Sequence, residues 1–512
     1  MKNLLVKIVT SFIVLNLFIS IFAQTAQFPV KRTETPEMWS RDGWKAVEKA
    51  KREKIRKGKA KNVILFIGDG MGITTLTAAR ILEGQLRGES GEENRLSFEE
   101  FPFSALSKTY STNQQTSDSA PTMSAIISGI KTEEGIISVN QNVVHGDYQT
   151  VKGNETLTLL EMAETKGLST GVVTTARLTH ATPAACYAHT AARDWESDLD
   201  IFARSKEAHA AKFPDIARQL IEFPYGDGLE VAMGGGRAKF LPKEEIDPEY
   251  SDRKGERLDR RNLPKEWVGK YQDASYVYDK KGFEAIDVKK TKHLLGLFET
   301  SHLQYEFDRN KTGDGEPSLS ELTAKSIDIL SKNRKGFFLM VEGGRIDHAH
   351  HDGNAFRALT ETIELSNAVR TAVNKVNLDE TLIIVTADHS HTLSMGGYPI
   401  RGNNILGLTQ EVDNKGNLEE KPKADRNGKT FTTLNYANGV GYKKEGERPN
   451  LTQEQVTNPN YTQEAIIPLG SETHGGEDVA IFAIGVNAHL IRGSMEQNWI
   501  FYFMADALRL KK

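Results

Sequence analysis

Four apolar runs in this chain each end in unusual chemistry: "NVILFIGDGMG" (62–72), "STGVVTTARLTHATPAA" (169–185), "GFFLMVEGGRIDHAHH" (336–351) and "TLIIVTADHSH" (381–391). Two more, "LEVAMGGG" (229–236) and "DVAIFAIG" (478–485), read as further strands. None alternates apolar with polar residues, which marks strands buried on both faces. Between them lie helical patterns such as "TTLTAARILEGQL", "SLSELTAKSIDILSKN" and "AFRALTETIELSNAVRTAVNKV". This alternation predicts an α/β fold, with a central mostly parallel sheet flanked by helices on both faces. In such folds a ligand sits beyond the carboxyl ends of the strands. The Asp, Glu and His residues fall there.

The 512 residues hold a large core, read as one domain over 24–512. Polar spans at 240–320 and 400–473 interrupt the alternation and are expected to be insertions on that core. With a formal charge of −4, nothing suggests a nucleic-acid binder or a polybasic membrane protein. The basic run 45–61 is expected to form a solvated amphipathic helix. Residues 1–23 read as a secretory signal: Lys2 and Lys7, a block too short for a typical membrane span, then small residues near Ala23 or Ala26. Export is therefore expected, to a periplasm or to the medium. The terminus "MADALRLKK" lacks the apolar tail of a glycolipid anchor, so no membrane anchor is expected. Cys186 is the single cysteine, which excludes an intramolecular disulfide, and its apolar surroundings predict a buried thiol.

Asp69 lies in "GDGMG", where flanking glycines allow a sharp turn. Glu342 ends another apolar run, followed by Asp347 and His351, which share one face if the segment is helical. Asp388 and His389 close the next strand, and "SETHGGED" adds His474. Mixed nitrogen and oxygen donors suit zinc together with a harder ion. Two metals about 4 Å apart would clamp the attacking and leaving oxygens of a displacement at phosphorus. Arg193 in "AHTAARDW" offers a guanidinium for phosphate oxygens. In "TSDSAPTMSA", Pro121 suits a first helical turn that Asp118 or Ser117 would cap. A helix over about 119–128 would set Ser119 at its positive end, facing a bound phosphate. A nearby zinc would lower the hydroxyl pKa enough for attack.

These motifs, together with "DSAPTMSA", "VTTARLTHATPAACYAHTAAR", "TADHSHTLSMGGYPIRG" and "ETHGGEDVAIFA", resemble the alkaline phosphatase family over roughly residues 35–508. The resemblance implies hydrolysis of phosphate monoesters through a phosphoserine on Ser119, with two zinc ions and one magnesium. Asp347, His351 and His474 would hold the first zinc, and Asp388, His389 and Asp69 the second. Glu342, Thr182 and Asp69 would hold magnesium, and Arg193 would orient the phosphate. Some bacterial members carry Asp and Lys where this chain, like the animal enzymes, has His180 and His348, a difference that should loosen magnesium and alter the pH optimum. A calcium site would fall at Glu249, the Phe298 carbonyl, Glu299 and Glu316, the last usually Asp. The family also implies a homodimer, with residues 28–55 as an embracing arm, 400–473 as an interfacial crown, and Tyr398 near the neighbour's cleft. Two alternatives stand beside this reading. One is a phosphodiesterase or sulfatase of the same superfamily, although "SAPTM" lacks the arginine of the sulfatase C/S-x-P-x-R motif. The other is a non-catalytic secreted protein that binds metal or phosphate.

Overall fold

The computed structural model describes residues 34–510, residue 445 excepted, so residues 1–23, read above as a secretory signal, lie outside the described residues. Ten strands form the main sheet: β1 (Asn62–Gly68), β2 (Phe103–Lys108), β3 (Ser169–Arg177), β4 (Val231–Gly235), β5 (Ala274–Val277), β6 (His293–Leu297), β7 (Phe337–Gly343), β8 (Thr381–Ala387), β9 (Val479–Gly485) and β10 (Gly493–Glu496). Their order is β10-β2-β9-β8-β1-β7-β3-β4-β6-β5. All neighbouring pairs are parallel except those that β9 makes with β8 and β2.

The unalternated runs have a direct structural cause. Val63, Leu65 and Ile67 of β1 join one core, on one face of the sheet, with Met123, Ile126 and Met504. Ile64 and Phe66 join the other with Leu76, Leu365 and Val369. Each fully buried aliphatic or aromatic side chain contributes about 1.5–3 kcal/mol, so a strand apolar on both faces is held from both sides. Helix α1 (Pro36–Lys51) joins neither core; the helices that cover the two faces are α2 (Ile73–Leu86), α3 (Ser119–Ser128), α4 (Leu319–Leu330), α5 (Arg345–His351), α6 (Ala355–Lys375) and α7 (Trp499–Leu508). Helix α3 runs over the predicted span. Asp118 caps it by accepting from Ala120 N at 2.6 Å, and Gly129 ends it in the left-handed region at φ 77°.

Four regions depart from the pattern. The span 240–320 is not wholly outside the sheet, because β5 and β6 complete one edge of it. The sequence hid them because both are short and follow long polar stretches. Strand β2 was hidden because "FSALSK" buries only alternate residues. Within 400–473, the strands Leu434–Gly439 and Ala465–Pro468 build a small sheet with Leu393–Met395. The basic run is helical only to Lys51, and α1 has no buried residue, leaving Trp39 60% and Trp44 68% exposed. No helix among the described residues is long and apolar enough to cross a membrane.

Candidate functional site

Strand register sets the site. Gly68 of β1 stands opposite Gly343 of β7 and Ala387 of β8, so Asp69 and Asp388 emerge side by side just beyond the sheet. Glu342, one residue back, faces Thr174 of β3, whose hydroxyl donates to Glu342 Oε2. Because β9 runs antiparallel to β8, its start lies at this same edge, and the loop before it delivers His474. The turn after Asp69 requires glycine. Gly70 has φ +68°, and a Cβ there would lie 2.3 Å from the His391 ring.

Ser119, the first residue of α3, is buried with its Oγ 3.1 Å from His389 Nε2. The same nitrogen lies 3.3 Å from Asp69 Oδ1 and 3.4 Å from Asp388 Oδ2. Asp388 Oδ1 accepts from Gly70 N at 3.1 Å and from His389 N at 2.9 Å, which fixes the carboxylate. Arg193 donates from Nη1 to Asp118 Oδ1 at 3.1 Å, and its Nη2 lies 3.0 Å from His180 Nε2. The guanidinium is thus held beside the start of α3.

A second cluster surrounds Asp347. His351 Nε2, four residues on along α5, stands 3.4 Å from Asp347 Oδ1, and His474 Nε2 stands 3.3 Å from it. Their other ring nitrogens face backbone carbonyls, His351 Nδ1 toward Glu472 O at 2.6 Å and His474 Nδ1 toward Ser117 O at 2.8 Å. That leaves both Nε2 atoms aimed at the same point. The rings of His389 and His474 stack at 3.6 Å, so the two clusters are contiguous.

Burial, then the neighbouring carboxylates Asp388 and Asp347, pushes the Asp69 carboxyl well above the ordinary carboxylate range. Burial likewise raises Asp388 and lifts Glu342 to about 7. Burial alone would raise Asp347 too, but His351, His391 and His474 hold it well below the usual value. His389 is pushed well down by burial and then by His474, so its imidazole is neutral.

This pattern suits cations. Asp69 Oδ1 and Glu342 Oε1 are buried and accept no hydrogen bond, an arrangement that is expensive without a positive partner. Ligand atoms come within 4.8 Å of one another in three sets: Asp347, His351, His391 and His474; Asp69, Asp347 and His389; and Asp69, His180 and Glu342. The first is rich in imidazole and the third mostly oxygen, a donor division that fits zinc and magnesium. Thr182 Oγ1 lies 3.5 Å from Asp69 Oδ2, beside the third set. The rings of His180 and His348 pack 5.5 Å apart there, each with an unpartnered Nδ1.

Four contributors escaped sequence reasoning. His391 bridges Asp347 Oδ1 at 2.7 Å and Glu472 Oε2 at 2.5 Å; burial would lower its pKa, but these carboxylates hold it up to about 10. Thr174 holds Glu342, and Thr122 Oγ1 lies 3.4 Å from Asp388 Oδ2. The polar alternation in "DHSH" was the available signal for His391; Glu472, Thr174 and Thr122 had none. Away from the site, Glu249, Glu299 and Glu316 do form an acidic neighbourhood, and burial raises Glu249 to about 7 and Glu316 to about 8. Among the described residues these three are in no set converging within 4.8 Å, and Arg237 pairs with Glu249. Tyr398 is 86% exposed, and Cys186 is buried with its thiol pushed well up by burial.

A doubly wound sheet with acidic and imidazole ligands gathered at its strand ends defines a metal-binding hydrolase. Comparison with known proteins gives the narrower class. The sequence profile of the family "Alkaline phosphatase" matches residues 60–510. The chain is 46% identical over 490 residues to the alkaline phosphatase of Gadus morhua, covering 94% of this chain and 98% of that protein. It is 44% identical over 491 residues to the tissue-nonspecific isozyme of Rattus norvegicus, covering 94% of this chain and 90% of that one. Among solved structures, the Thermus thermophilus alkaline phosphatase matches the fold with a TM-score of 0.63 at 22% identity, over 95% of this chain and 96% of that one. The chain belongs to the alkaline phosphatase family, and its activity is that of a phosphoric monoester hydrolase. The diesterase, sulfatase and binding-protein alternatives find no support in these matches.

Proposed function

We propose that Ser119 is the nucleophile and Arg193 the phosphate-orienting group of this phosphomonoesterase. Asp347, His351 and His474 would hold one zinc; Asp388, His389 and Asp69 a second; Glu342, Thr182 and Asp69 a magnesium. The observation that carries this reading is the meeting of Ser119 Oγ with His389 Nε2 at 3.1 Å, at the start of a ten-residue helix and beside Arg193. The ions, when bound, supply positive charge that lowers the hydroxyl pKa and stabilises the oxygens entering and leaving phosphorus. Ser119 Oγ gives up its proton to solvent and attacks phosphorus in line. The ester P–O bond breaks, the departing oxygen takes a proton from water to leave as the alcohol, and the phosphoryl group rests on the serine. Arg193 grips two non-bridging oxygens, which fixes the group for the next displacement. Water then attacks from the opposite side and Ser119 Oγ leaves. Positioning and charge supply most of the rate for so loose a transition state.

His180 and His348 bring imidazoles rather than charged side chains to the magnesium set, and this supports weaker magnesium retention. A histidine-to-aspartate variant of the TAB5 alkaline phosphatase is described with magnesium bound in its M3 site. Calcium at Glu249, Glu299, Glu316 and the Phe298 carbonyl is supported by the mutual repulsion of those carboxylates, with Arg237 as the competing cation. The exposed tryptophans of α1 support its role as a dimer arm, and export rests on the leader-like composition of residues 1–23. The deciding experiment pairs metal analysis by mass spectrometry with turnover of mono- and bis-(nitrophenyl) phosphate. About two zinc and one magnesium per chain with strong preference for the monoester is expected. A metal-free active enzyme would overturn the reading.

A further inference from the structure

His350 is the sixth residue of the motif "RIDHAHH", fully buried, and none of the ligand sets above uses it. Its ring has a partner on each side. His350 Nδ1 is 2.7 Å from the Tyr436 hydroxyl, and His350 Nε2 is 3.0 Å from Thr75 Oγ1. Tyr436 and Thr75 are both buried as well. A neutral imidazole offers one donor and one acceptor, and a hydroxyl takes either role, so one tautomer satisfies both contacts.

The partners come from separate parts of the chain. Thr75 is in the first turn of α2, just after the Asp69 turn. Tyr436 belongs to the 400–473 insertion, in a strand that pairs with Leu393 directly opposite it, two residues beyond His391. The ring centroids of His350 and His391 are 4.8 Å apart, and those of His350 and Tyr436 are 5.8 Å apart. His350 therefore sits where the Asp69 turn, α5, the His391 segment and the insertion meet. It is flanked in α5 by Asp347 and His351, so any rotation of this short helix moves both.

We propose that His350, pinned between Tyr436 and Thr75, is a positioning residue that fixes the pitch of α5 and couples the 400–473 insertion to metal retention. This rests on Asp347 and His351 being metal ligands. If the pin holds, removing either hydroxyl leaves a fully buried ring nitrogen without a partner, and the helix relaxes toward another rotation. Residues that orient ligands typically change metal affinity by roughly 10–100-fold when replaced.

The test uses the full-length enzyme carrying its own metals and follows their release to a chromogenic chelator. Tyr436→Phe and Thr75→Val should each speed release of the more labile zinc by about tenfold or more. The double variant should be little faster than either single one, because both act through one ring. Thr75→Ser, which keeps the hydroxyl, should release at the wild-type rate. The proposal is overturned if the single variants release at the wild-type rate, if their effects multiply, or if Thr75→Ser is as fast as Thr75→Val. His351→Ala serves as the control. If it keeps its metal and wild-type release, the ligand reading itself has failed; if it loses metal while Tyr436→Phe does not, only the pin has failed.

Discussion

His389 Nε2 stands 3.1 Å from Ser119 Oγ although 270 positions of chain separate the two residues. One nitrogen therefore faces the serine and also the carboxylates of Asp69 and Asp388. A cation drawn to those carboxylates would lie against the serine oxygen.

Ser119→Ala should lower turnover of a phosphomonoester by more than about a thousandfold. Acid quenching with labelled phosphate should trap phosphoprotein in the wild type and none in the variant. Retained labelling would place the covalent step elsewhere.

Arg193→Ala should weaken inhibition by inorganic phosphate by roughly 10–100-fold, the value of hydrogen bonds to a charged group. Arg193→Lys should restore little, because an ammonium cannot match the planar fork that now spans Asp118 and His180. A phosphate inhibition constant equal to that of the wild type would exclude the assigned role.

The metal-free protein should lose stability between pH 7 and 9. Glu342, raised to about 7, costs stability from about pH 4.5 up to that value, below this window, and Asp69 is raised in the same direction; within the site, the decline from pH 7 to 9 rests on His391. His391 is held at about 10 against an unfolded value near 6.5. In that window the folded chain binds more protons than the unfolded one, so raising pH favours unfolding. The lowered histidines act below about pH 6.5, where their unfolded forms protonate, and so do not offset this. Melting in chelator should show the decline, and zinc should reverse it by binding the ionised carboxylates. A flat melting profile in chelator would contradict the assignment.

Glu164→Gln should remove part of that decline at a site remote from the chemistry. Glu164 is buried between the Thr170 hydroxyl and the 226–228 turn, and burial followed by the Glu230 charge lifts it to about 9. An acid raised in the folded state weakens stability progressively from about pH 4.5 up to that value. The glutamine variant should melt higher than wild type at pH 8.5 and near it at pH 4.5. Equal melting at both values would mean that Glu164 ionises freely.

His180→Asp should tighten magnesium by adding a carboxylate beside Asp69 and Glu342. The magnesium concentration for half-maximal activation should fall about tenfold or more, by analogy with other residues adjacent to a metal. An unchanged titration would show that the imidazole is not what limits magnesium.

Much of the site was legible because its residues mark the ends of strands with no polar alternation, and such strands have to be buried on both faces. Asp69, Glu342, Asp388 and His389 follow that rule directly. The helix over Ser119 was legible from its cap and Pro121. His391, Glu472, His350 and Tyr436 were not, because their roles depend on contacts between segments far apart in sequence. Strands β5 and β6 escaped for a related reason: edge strands of four or five residues carry too little pattern to stand out from polar surroundings.

The sequence by itself determined the parallel sheet, the helix at Ser119 and the chemical types gathered at the strand ends. These follow from local periodicity and capping, which act over a few residues. Only the tertiary structure decided which nitrogen faces which oxygen, that β9 runs backwards to bring in His474, and that a histidine outside the ligand sets is wedged between the insertion and α2. Those outcomes depend on strand register and on hydrogen bonds closed across hundreds of residues, which no local pattern encodes.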